Sequence, residues 1–147
     1  MSYTQIDVHI VLRTKNSQKT ISQHNVSELY QYIWGIVKNK KCHLYRINGI
    51  EDHIHILLSL HPTVALADLV KSIKVACSYW MKSHKDFSHF RSWGEGYAAF
   101  SCQHKNKDRV IEYIKNQQEH HKRESFKEEI LRIFQEEEIE VNERFIL

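Results

Sequence analysis

His53-Ile54-His55 sets two imidazoles one residue apart at the head of an apolar stretch that runs to Leu60. Side chains alternate across an extended strand, so such a pair projects from one face and offers two adjacent nitrogen donors to a cation. Glu51 and Asp52, immediately before, are placed to orient the rings through hydrogen bonds. In a chain with 11 histidines an HxH pair also arises by chance. A second group lies in Glu112-Tyr113-Ile114-Lys115-Asn116-Gln117-Gln118-Glu119-His120-His121. At helical spacing Tyr113, Gln117 and His120 or His121 share one face, while Val110, Ile111 and Ile114 fall on another, apolar side. By itself this is equally an exposed tyrosine on a polar helix. Beside the HxH pair it is a phenol, a potential nucleophile, one turn before an amide whose oxygen can ligate a metal.

Those side chains need elements to hold them. Ile6 to Arg13 is β-branched and partly alternating, and predicts a strand. Val26, Leu29, Tyr30, Ile33, Ile36 and Val37 space out one buried helical face, ending at the lysines of 38–41. Cys42 to Ile50 and His53 to Leu60 read as two strands joined by the polar connection Gly49-Ile50-Glu51-Asp52, the second strand apolar enough to be central. Pro62-Thr63 opens a second helix with Leu66, Leu69, Val70, Ile73, Cys77 and Trp80 on its apolar face and Lys71, Lys74, Ser78 and Lys82 opposite. Trp93 to Cys102 predicts a fourth strand, then Arg109 to Arg123 and Phe126 to Ile139 two more helices. This order is that of the ferredoxin-like split βαβ fold, α+β, with an antiparallel sheet, helices on one face and two C-terminal helices added. Such a fold hosts enzymes, metal carriers and RNA-binding modules, so the site must decide.

One Pro, four Gly and no Ser/Gly-rich run leave no place for a flexible linker, and residues 1–147 are expected to form one domain. The three cysteines, Cys42, Cys77 and Cys102, form no CxxC and are odd in number, which argues against a disulfide framework or zinc ribbon and fits a reducing cytoplasm. No basic-then-apolar leader opens the chain, and Ile54 to Leu60 is far too short to span a bilayer. The net charge of +3 is unevenly spread: residues 1–107 carry 14 Lys and Arg against 7 Asp and Glu, residues 108–147 carry 7 against 11. A basic body attracts phosphates without regard to sequence. Arg13, Lys15, Lys71, Lys74 and Lys105 are its candidate DNA contacts.

The chain resembles the small single-tyrosine transposases of the HUH superfamily, the insertion-sequence 200/605 type, including relatives associated with repetitive palindromes. The resemblance rests on VHIVLRTK (8–15), EDHIHILLSLHP (51–62), WGEGYAAFSC (93–102) and YIKNQQEHHKRESFKEE (113–129), in that order along nearly the whole chain. It implies that His53 and His55 are metal ligands, Gln117 the third ligand and Tyr113 the nucleophile. It leaves the role of His120 and His121 open between metal ligand, phosphate contact and structural residue, and His9 and Cys102 are expected to stand outside the site. Two imidazoles alone suit zinc; an added amide oxygen, with open positions for water and phosphate, suits Mg²⁺ or Mn²⁺. The resemblance further implies a single-stranded hairpin DNA substrate, a 5′-phosphotyrosine intermediate, and a homodimer in which one subunit's tyrosine helix can complete the other's metal site, with Gln103 to Asp108 as a hinge. Rival readings are a HUH nicking endonuclease of replication, an RNA-binding module stacking bases on Tyr97 and Phe100, and a zinc-dependent structural protein.

Overall fold

Val8, Ile10 and Leu12 alternate with His9, Val11 and Arg13, and both sets are buried in strand β1 (Asp7–Arg13), so each face of this strand must be covered. The computed structural model describes residues 1–142; the last five residues of the expected 1–147 domain lie outside it. Helix α1 (Val26–Asn39) buries Leu29, Ile33 and Val37. Strands β2 (His43–Ile50) and β3 (His53–Ser59) follow, joined by a turn of only Glu51 and Asp52, because Ile50 already pairs with His53. Helix α2 (Leu66–Lys82) starts later than Pro62: residues 62–64 form a turn in which Val64 N–H donates to the His61 carbonyl, and the helical ladder opens with Leu69 N–H on the Ala65 carbonyl.

Strand β4 (Ala98–Cys102) is shorter than the run from Trp93 predicts. Trp93 makes a lone bridge to Thr14, and Gly96, at φ 73°, turns the chain out of extended pairing before β4 begins. The sheet order is β2-β3-β1-β4 with every neighbouring pair antiparallel, the ferredoxin-like α+β arrangement. On one face Ile10, Leu12, Ile54, Ile56 and Leu58 meet the buried sides of α1 and α2.

The C-terminal helices cover the other face, a placement the sequence left open. The expected helix over Arg109–Arg123 is broken into α3 (Lys107–Lys115) and α4 (Gln117–His120), with Asn116 at φ −96°, ψ 21° between them. The cause is Asn48 of β2, whose side-chain amide donates to the carbonyls of Ile114 and Lys115 at 3.1 and 3.0 Å and so takes acceptors a continuing helix would use. Gln118 returns the contact, donating to Asn48 Oδ1 at 2.9 Å and to the Gly49 carbonyl at 3.1 Å. Helix α5 (Phe126–Glu136) begins with a capping box between Ser125 and Glu128, and its Phe126, Ile130, Ile133 and Phe134 pack on Val11, Ala98 and Phe100.

Candidate metal and nucleophile site

His53 and His55, from the strand next to β1, point into the space between sheet and C-terminal helices, both fully buried. Each ring is anchored by its outer nitrogen. His53 Nδ1 lies 2.6 Å from Asp52 Oδ1, and His55 Nδ1 lies 2.8 Å from His9 Nε2. Both Nε2 atoms then face inward. Gln117 Oε1 stands 3.1 Å from His53 Nε2, and the break at Asn116 is what lets Gln117 turn inward, fully buried, while Tyr113 stays half-buried. Tyr113 is close by, its ring centroid 6.0 Å from that of His55.

The centre of the cluster is a residue the sequence reading passed over. One oxygen of Glu129, from α5, lies 3.1 Å from His53 Nε2, 3.0 Å from His55 Nε2 and 3.0 Å from His121 Nε2. The other oxygen accepts from Gln117 Nε2 at 2.9 Å and from the Tyr113 hydroxyl. Arg132, one turn on, donates to the Tyr113 oxygen at 2.9 Å. A sequence signal for Glu129 existed: three residues after Phe126 and four before Ile133, it falls on the apolar stripe of α5, where a carboxylate needs partners. His9, expected outside, belongs to the cluster. It shares the sheet face of His55, two residues along from Val11, which pairs with His55. Cys102, at the far end of β4, has its thiol bonded to the neighbouring Gln103 carbonyl.

This site sits on a chain of recognisable descent. The model of the family described as Transposase IS200 like matches residues 2–117, from the N-terminus to the inward-turned glutamine. The chain belongs to the IS200-like transposase family. Two solved structures share its fold. A protein from Deinococcus radiodurans R1, assigned as a transposase, is 20% identical with a TM-score of 0.61 over 79% of this chain and 93% of that one. A REP-associated tyrosine transposase bound to a REP hairpin is 12% identical with a TM-score of 0.63 over 82% of this chain and 72% of that one. At such identities the likeness is one of fold. No curated protein matches this chain.

Within this IS200-like transposase the cluster's electrostatics are set by burial and one carboxylate. Burial works to raise Glu129, but the hydrogen bonds from His121, His53 and His55 outweigh it and hold the group well below the usual carboxylate range. For His53 burial is likewise overruled: bonds to Asp52 and Glu129 raise it to about 9. His55 is driven below its ordinary value by burial, as is His9, to about 3. Burial, then the Glu129 charge, push the Tyr113 phenol up, against the pull of Arg132.

Of the transposase's five expected DNA contacts, Lys15, Lys71 and Lys105 are exposed, the last in a 3-10 turn (His104–Asn106) that leads directly into α3. The other two make contacts within the fold. Arg13 is only 7% exposed, its stem against Gly94, and Lys74 donates to the Gly94 and Gly96 carbonyls at 2.8 Å each, bracing the approach to β4. Outside Tyr113 opens a cleft of about 660 Å³ lined by Asn116, His120, Arg123 and Arg132 among others. There His120 stacks on the Tyr113 ring at 4.8 Å. No helix among the described residues is long and apolar enough to cross a membrane.

Proposed function

We propose that this transposase cuts and rejoins single-stranded DNA folded into a hairpin, with Tyr113 as nucleophile and His53, His55 and Gln117 as ligands of Mg²⁺ or Mn²⁺. The observation that carries the reading is the meeting of Tyr113 and Gln117 with the inward-facing nitrogens of His53 and His55 inside one chain. The donor chemistry fits a divalent cation: each histidine ring is held by its outer nitrogen, leaving Nε2 for the interior, as metal-binding histidines are held. Bound there, such an ion would polarise the scissile phosphate and offset the charge that develops on it.

The remaining steps belong to the chain. Tyr113 oxygen attacks phosphorus; the tyrosyl O–P bond forms as the bond to the 3′ oxygen breaks, leaving a 5′-phosphotyrosine and a free 3′-OH. One proton leaves the phenol and one is taken up by the departing oxygen, so the step balances without ATP. Attack by a new 3′-OH reverses it and frees Tyr113. With an ordinary pKa near ~10, the phenol depends on positioning more than on basicity. Arg132, already bonded to its oxygen, stabilises negative charge there.

Support for a hairpin comes from the fold neighbour bound to a REP hairpin and from the exposed Lys15, Lys71 and Lys105. A homodimer, acting in the cytoplasm, suits a reaction in which two DNA ends are cut and exchanged. The test is incubation of the protein with a single-stranded hairpin and Mg²⁺ or Mn²⁺, followed by denaturing electrophoresis. A covalent adduct is expected, absent in Tyr113→Phe and in the presence of chelator. An undiminished adduct in Tyr113→Phe overturns the assignment of the nucleophile.

A further inference from the structure

We infer that Glu129 is itself a ligand of the divalent cation, so that His53, His55 and a carboxylate carried by α5 form the donor set. This rests on the reading of His53 and His55 as ligands and goes beyond it to a residue outside the matched family segment 2–117. The donor atoms are close enough together to share one ion. Donor atoms of His53, His55 and Glu129 all lie within 4.8 Å of one another, and all three residues are fully buried.

Charge calls for the carboxylate. Two imidazoles and an amide are neutral donors, and a doubly charged ion in a site removed from water needs an anion against it. Mg²⁺ and Mn²⁺ are bound chiefly by carboxylate, carbonyl and water oxygen, so Glu129 supplies both the charge and the oxygen they favour. The ring nitrogens converge on this carboxylate. His121 Nε2 lies 3.0 Å from Glu129, and its Nδ1 is held 2.6 Å from the Glu124 carbonyl. Nitrogens of three imidazoles, those of His53, His55 and His121, thus surround one carboxylate oxygen at 3.0–3.1 Å. Glu129 has a second oxygen for the Tyr113 hydroxyl, and so joins the cation to the nucleophile through one side chain.

The experiment measures Mn²⁺ binding, not activity. Free Mn²⁺ is followed by its paramagnetic resonance signal as it is titrated into the full chain and into Glu129→Gln, Gln117→Ala and His53→Ala, with circular dichroism in chelator to check that each folds. Glu129→Gln is expected to weaken Mn²⁺ by more than roughly tenfold, the loss seen even for groups one step removed from a metal. Unchanged affinity in Glu129→Gln, with affinity lost in His53→Ala, overturns the role of Glu129 and leaves the histidine site standing. Unchanged affinity in His53→Ala brings down the site reading itself. Tighter binding in Glu129→Gln also overturns the inference, since it would make Glu129 a plug. Should Glu129→Gln not fold, wild-type crystals grown with Mn²⁺ decide the matter by anomalous scattering: a peak bonded to a Glu129 oxygen is expected, and a peak held by His53, His55 and Gln117 with Glu129 turned away overturns it.

Discussion

Tyr113 is held from two sides, donating to Glu129 and accepting from Arg132, and the two partners pull its chemistry in opposite directions. A charge-assisted bond of this kind is worth roughly 1.5–3 kcal/mol, so Arg132→Ala is expected to slow single-turnover adduct formation by on the order of tenfold or more at saturating DNA. A fall in hairpin affinity at an unchanged saturated rate would instead make Arg132 a DNA contact. His9 works one step further out, holding His55 Nδ1. His9→Ala should weaken Mn²⁺ roughly 10–100-fold, read in the same titration, while hairpin retention on a filter in chelator stays near wild type. Unaltered Mn²⁺ affinity would leave His9 a packing residue. The four residues picked from the sequence were legible because each pair is local, two positions apart on a strand or four on a helix. Glu129, His9 and Arg132 act across 74, 46 and 19 residues of sequence, and no periodicity carries such pairings.

Helix α5 brings Glu129 to the sheet through Phe126, Ile130, Ile133 and Phe134. Ile130 is fully buried there, so Ile130→Ala is expected to cost about 2–5 kcal/mol in urea unfolding, against about 1 kcal/mol for Ser125→Ala, which removes only the capping box. Equal losses would mean that the helix is held by its end and not its face. Apolar spacing made α1 and the core of α2 visible in advance. What escaped was set by partners from elsewhere. The break at Asn116 depends on Asn48, and β4 starts late because Gly96 turns the chain and Lys74 braces the loop. Helical spacing grouped Tyr113 and Gln117 on one continuous helix, whereas the two reach the cluster from separate helices.

At the scale of the whole molecule, Tyr113 stands beside the histidines of its own chain, and exchange of its helix between subunits would have to break the reciprocal Asn48 and Gln118 amide contacts. Heterodimers of Tyr113→Phe and His53→Ala subunits are therefore expected to stay inactive in first-strand cleavage, and to gain adduct only when Asn48→Ala loosens the clasp. Cleavage by mixed subunits with Asn48 intact would place the helices in trans. The same long-range construction bears on how the protein comes into being. His9 meets His55 across 46 residues, His53 meets Gln117 across 64 and His55 meets Glu129 across 74. Closing such loops is slow relative to winding helices or a two-residue hairpin, and each closure needs the previous layer in place. A chain midway through folding thus has its strands and helices before it has a phenol beside a ligand. Under the proposed mechanism, the power to nick DNA requires the C-terminal helices to have docked on the sheet.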